Sequence, residues 1–90
     1  MTERRKGERF RLSLPVRLKN GSGTTREIST SGIFFETESA CEVGDTINLS
    51  VDFPDSIIQC EGRVVRVEKA DSQSAVAVEF ASYFFVGGRV

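Results

Sequence analysis

The sequence contains no histidine, two cysteines, two prolines and no apolar run of more than a few residues. Without an imidazole there is no histidine general base, no Ser-His-Asp triad and no histidine metal ligand. Cys41 and Cys60 are too few for a structural zinc site or a disulfide framework, and they read as unpaired core or near-surface residues. The apolar runs are far shorter than a membrane span, and no charged start followed by an apolar stretch marks a signal peptide. No carboxylate pair stands at a recognisable spacing, and no phosphate-loop motif is present. These absences lead us to expect a non-enzymatic, cytoplasmic, reduced domain with no cofactor, no metal and no membrane insertion.

What is present suffices for one modest core: 90 residues, 39% hydrophobic and 28% charged. A chain of this size buries roughly 60% of its unfolded surface. The net charge of -1 conceals a division. Residues 1–26 hold eight basic side chains against two acidic ones, a net +6, whereas residues 27–90 hold four against eleven, a net -7. The basic excess forms a local field that steers an anion.

Alternation with period two dominates the chain. Phe10, Leu12, Leu14, Val16 and Leu18 alternate with Arg11, Ser13, Pro15, Arg17 and Lys19, which predicts a strand with one face on a core. Pro15 lacks an N–H and predicts a bulge or an edge. Asn20 to Gly23 predicts a hairpin turn, followed by a strand over 24–28. Further strands are predicted at 33–36, 47–53, 57–68 and 76–80, with a bulge near Gly62 where the apolar phase slips. Six short strands without a convincing helix point to an all-β antiparallel barrel, closure being favoured because it leaves no open sheet edge. The expected organisation is a flexible basic arm over 1–9, a barrel over 10–80, and a tail or short helical turn over 81–90 whose aromatics cap one barrel mouth.

Two features stand apart from barrel construction: Arg5-Lys6-Gly7-Glu8-Arg9 before the first strand, and Glu27-Ile28-Ser29-Thr30-Ser31-Gly32 after the second. If Ile28 points inward, Glu27 and Ser29 share the outer face. Gly32 permits a positive-φ turn that presents backbone N–H groups to an anion. Arginine forks match phosphate oxygens, pair with the O6/N7 edge of guanine and stack on a base plane. A carboxylate accepts the N1–H and N2–H of guanine. Taken singly, a basic stretch is ordinarily a solvated arm and Ser and Gly are ordinarily turn residues. Together they suit a guanine nucleotide.

At these positions the sequence resembles the PilZ domain family, bacterial receptors for cyclic di-GMP. The family pattern is Arg-x-x-x-Arg before a six-stranded barrel, then Asp/Asn-x-Ser-x-x-Gly; Arg5 and Arg9 match the first part, Ser29 and Gly32 the second. The resemblance runs over about residues 4 to 80, through Leu14-Pro15-Val16-Arg17, Gly32-Ile33-Phe34-Phe35 and Ala77-Val78-Glu79-Phe80. It implies a PilZ-type barrel in which Arg5 and Arg9 hold phosphates and guanine while Ser29 and Gly32 complete the pocket. Arg4 occupies a position that in the family influences how many ligand molecules bind, and an arginine there resembles versions that take an intercalated pair. Glu27 stands where the family has Asp or Asn.

The implied function is a cyclic di-GMP receptor or adaptor whose arm folds over the ligand and signals to an unidentified protein effector. An alternative, carried by Glu27, is a divergent PilZ domain with weak or no ligand binding that acts as a protein-interaction adaptor. Single-stranded nucleic acid is not the expected partner, because the strand phenylalanines fall mostly on core parity.

Overall fold

The computed structural model describes residues 9–88. They form six antiparallel strands: β1 (Pro15–Leu18), β2 (Gly21–Ile28), β3 (Gly32–Thr37), β4 (Thr46–Asp52), β5 (Ser56–Lys69) and β6 (Ser74–Gly88). The strands close into a barrel in the order β1-β2-β3-β6-β5-β4, with β4 returning to β1. This is the expected all-β six-stranded barrel.

Alternation decides which side chains fill it. Val16 on β1, Ile33 and Phe35 on β3, Leu49 and Val51 on β4, Cys60 and Val64 on β5, and Val76 and Val78 on β6 are buried together. Phe35 is fully enclosed and is the largest of them. Thr25 and Thr37 are buried without loss of hydrogen bonding. The Thr25 hydroxyl donates to the Leu12 carbonyl and accepts the Leu14 N–H at 2.9 Å, and the Thr37 hydroxyl donates to the Ser22 carbonyl at 2.7 Å. A buried hydroxyl without partners costs about 1–3 kcal/mol, so these bonds make the polar core positions tolerable.

Several boundaries differ from expectation, each for a local reason. The first strand is short: Phe10 and Leu12 are exposed, and only Pro15–Leu18 joins the ladder. Thr25 takes the backbone groups of Leu12 and Leu14 that a longer strand would have used. The β1–β2 turn lies at Lys19-Asn20, since Leu18 pairs with Gly21 and the glycines are already in β2. On β5 the phase slip is a bulge at Val65, which is the extra residue between Val64↔Val78 and Arg66↔Ala77 and is 47% exposed. A second shift, next to Gly62, puts the extra residue on β6 at Ala81. Residues 81–88, expected as a tail or helical turn, are instead the second half of β6, held by pairing with residues 56–61 of β5. Phe10, Phe84 and Phe85 are exposed rather than on core parity.

Candidate functional site

Four of the residues singled out in the sequence border one cleft of about 450 Å³: Arg9, Glu27, Ser29 and Gly32. Arg4 and Arg5, with the rest of the arm through Glu8, lie outside the described residues. The cleft opens where β2 turns into β3, and its far wall comes from Val65 and Arg66 of β5 and from Ala77 to Glu79 of β6. Its volume lies within the roughly 300–1,000 Å³ of small-molecule sites.

Arg9 is placed by the backbone beside it. Phe10 exchanges two hydrogen bonds with Ile28, each 2.9 Å, so the chain before β1 runs alongside the end of β2. Arg9 and Arg11 flank Phe10 and share a face. Both reach Glu27: Arg9 Nη1 is 3.9 Å from Oε1, and Arg11 Nε is 3.9 Å from Oε2. These separations are ion-pair distances, too long for hydrogen bonds.

Glu27 owes its orientation to a bulge. Thr25 pairs with Phe35 and Glu27 with Phe34, leaving Arg26 as the extra residue of β2. The slip lets both Thr25 and Ile28 point inward although they stand three positions apart. Glu27 and Ser29 consequently face the cleft together, as the strand alternation around Ile28 predicts.

The Ser29–Gly32 loop is tied by one hydroxyl. Ser29 Oγ accepts the N–H groups of Ser31 at 3.1 Å and Gly32 at 3.3 Å, while the Ser29 N–H donates to the Gly32 carbonyl at 2.9 Å. Ser29 therefore sets the loop's shape as well as lining the cleft. The positive-φ turn expected at Gly32 is not what its glycine provides. Among the described residues the glycines with positive φ are Gly44 (98°) and Gly87 (82°). Gly32 is needed for closeness: a Cβ there would stand 2.5 Å from the Val78 carbonyl oxygen on β6. That close approach brings β6, with Glu79, to the edge of the cleft.

The structure adds residues that sequence patterning did not single out. Phe34 lies in the cleft wall between two guanidinium groups, with Arg26 and Arg66 each 5.4 Å from its ring centroid. The arginines are in turn paired with Glu36 at 3.3 Å and Glu68 at 3.2 Å. Phe34 was legible as the outward residue between the inward Ile33 and Phe35. Arg66 was not, because the Val65 bulge decides which way it faces. The result is an arginine-and-ring wall beside Glu27, whose cross-strand partner is Phe34, a surface suited to a flat, polar, anionic ligand. The thiols lie elsewhere: burial pushes Cys60 up to about 11, and burial followed by the nearby Asp45 carboxylate raises Cys41.

The PilZ domain pattern matches residues 3–83. The chain belongs to the PilZ domain family. No curated protein matches it. The match takes in both arginine positions of the arm, the Glu27–Gly32 loop and the barrel through Tyr83. PilZ domains are ligand-binding receptors and adaptors for cyclic di-GMP rather than enzymes. In this PilZ domain no helix among the described residues is long and apolar enough to cross a membrane. Its departure from the family pattern, Glu27, sits at the centre of the site.

Proposed function

We propose that the chain is a cyclic di-GMP receptor that takes the ligand in the cleft bordered by Arg9, Glu27, Ser29 and Gly32. The observation that carries this reading is that Arg9 of the first family motif borders the same cleft as Glu27, Ser29 and Gly32 of the second, fastened there by the Phe10–Ile28 bridge. Cyclic di-GMP brings two phosphodiester charges and two guanine edges. Arg9, with Arg4 and Arg5 of the arm, supplies forks for the phosphates and for guanine O6/N7. Glu27 accepts the guanine N1–H and N2–H, and the Ser29 loop closes the floor. The basic arm folds across the bound dianion, and an effector protein in the cytoplasm reads the reshaped surface. Amide exchange over residues 1–10 tests the arm: protection rises at saturating ligand, and unchanged protection removes this step.

Glu27 also supports a second reading. Its carboxylate lies 3.9 Å from both Arg9 and Arg11, offsetting the charge that would draw a phosphate. A domain in which this offset prevails is a ligand-free protein adaptor. Calorimetric titration of cyclic di-GMP into the wild type and Arg9→Ala decides between the two. A receptor gives heat that the variant loses, while an adaptor gives none with either protein.

A further inference from the structure

Beyond Phe80, β6 has a strand on one side only among the described residues. Its first half lies between β3 and β5, but β3 stops pairing at Gly32↔Glu79, and the last bond on that side runs from the Phe80 N–H to the Ser31 carbonyl at 2.9 Å. Ala81 is then the extra residue of a bulge opposite β5, and no further pairing with β3 follows. From Ser82 to Phe85 the register continues with β5 alone, Glu61 through Ile58. The opposite edge of this segment faces no strand among the described residues.

Its chemistry invites another strand. Ala81-Ser82-Tyr83-Phe84-Phe85-Val86-Gly87-Gly88 holds no charge and no proline, the two devices with which edge strands usually refuse a partner. Phe84 is 60% and Phe85 67% exposed, with Tyr83 and Val86 also open. An apolar groove of about 300 Å³ lies alongside, where Tyr83 and Phe85 face Phe10 and Leu12. The aromatics expected as a cap thus line an open groove.

The composition of the basic arm does not suit this uncharged edge. Residues 1–8 include five charged side chains. A second copy of the edge does suit it. Two such strands pair antiparallel about a twofold axis, each presenting the same donors and acceptors to the other, and no charge is buried unpaired. Phe10, Tyr83 and Phe85 line one groove and Phe84 another, and covering all of them on both copies would remove at most about 1,000 Å² from water, the lower bound of a specific interface.

We propose that the Ala81–Gly88 half of β6 is a homodimerisation edge, through which two copies of the chain join their barrels by antiparallel strand pairing. The proposal concerns the protein without ligand and is independent of what fills the Arg9–Glu27 cleft.

Sedimentation equilibrium of the full chain over a wide concentration range tests it, alongside Phe84→Lys and Phe85→Lys. The wild type should show a dimer mass, and each lysine variant a monomer mass with unchanged circular dichroism. Amide exchange of the wild type gives a readout that needs no variant: residues 82–87 should gain protection as concentration rises. A wild type that stays monomeric at millimolar protein overturns the proposal, as does a dimer that persists in both variants or protection of 82–87 that ignores concentration.

Discussion

Phe10 and Ile28 exchange a pair of 2.9 Å backbone hydrogen bonds, and this one bridge holds the segment around Arg9 to the cleft beside β2. The side chain of Phe10 is half out in solvent, so the contact is held by its backbone more than by burial. Arg9 reaches Glu27 because of it.

Phe10→Pro removes the donor at this bridge while leaving Arg9 in the sequence. A single hydrogen bond contributes about 0.5–1.5 kcal/mol, so the barrel should remain folded with a slightly lower urea midpoint. Cyclic di-GMP affinity should fall about as far as in Arg9→Ala, where losing a charged contact of about 1.5–3 kcal/mol means roughly ten- to a hundredfold. Unchanged affinity in calorimetry would show that Arg9 does not need the bridge.

Glu27→Asp shortens the carboxylate and draws it back from Arg9 and Arg11. The pairs are partly exposed and long, each within the 0–1 kcal/mol of surface ion pairs, so stability should change by less than about 1 kcal/mol. Freed arginines and a carboxylate of the family's length should bind cyclic di-GMP several-fold more tightly. Added salt should narrow the difference between the two proteins, because it screens the exposed pairs. Weaker binding by the aspartate variant would mean that the longer side chain is matched to its ligand.

Gly32→Ala tests close approach rather than turn conformation. Its Cβ would press on the Val78 carbonyl, forcing β3 and β6 apart at the lip of the cleft. A cost of about 1–3 kcal/mol is expected, as for overpacking elsewhere, read as a lower urea midpoint with weakened ligand binding. An alanine variant as stable as the wild type would show that β6 yields at no cost.

Cys60 introduces an alkaline dependence. Burial raises its thiol from 9.0 to about 11, so between those values the unfolded chain loses a proton that the folded chain keeps. The unfolded state then binds fewer protons than the folded state, and stability falls as pH rises from about 9 to about 11, by at most about 1.4 kcal/mol per unit. Urea titrations at pH 8, 9, 10 and 11 should show this fall in the wild type and a smaller one in Cys60→Val, which has no thiol. Parallel curves for the two proteins would remove Cys60 as the cause.

The barrel was legible because alternation is a local property of a strand. Leu14 to Leu18, Ile47 to Phe53 and Val76 to Phe80 declare their inward faces without reference to neighbours. The site was legible in part for the same reason: Ile28 pointing inward puts Glu27 and Ser29 outward together. Gly32 was read for backbone freedom when its reason is the Val78 carbonyl, an atom 46 residues away that no local pattern includes. Arg66 was missed because its direction depends on a bulge opposite β6.

By itself, then, the sequence determined the strand faces, the concentration of positive charge before β2, and the two motifs that mark a PilZ domain. Tertiary structure alone decided which strands became neighbours and where they slipped. A bulge forms between two strands, so neither strand's own pattern contains it. The bulges at Arg26 and Val65 aim Glu27 and Arg66 into one cleft, and the bulge at Ala81 follows the last pairing of β6 with β3. Residues 81–88, which on their own suggest a tail, form an uncharged strand with one edge unpaired among the described residues.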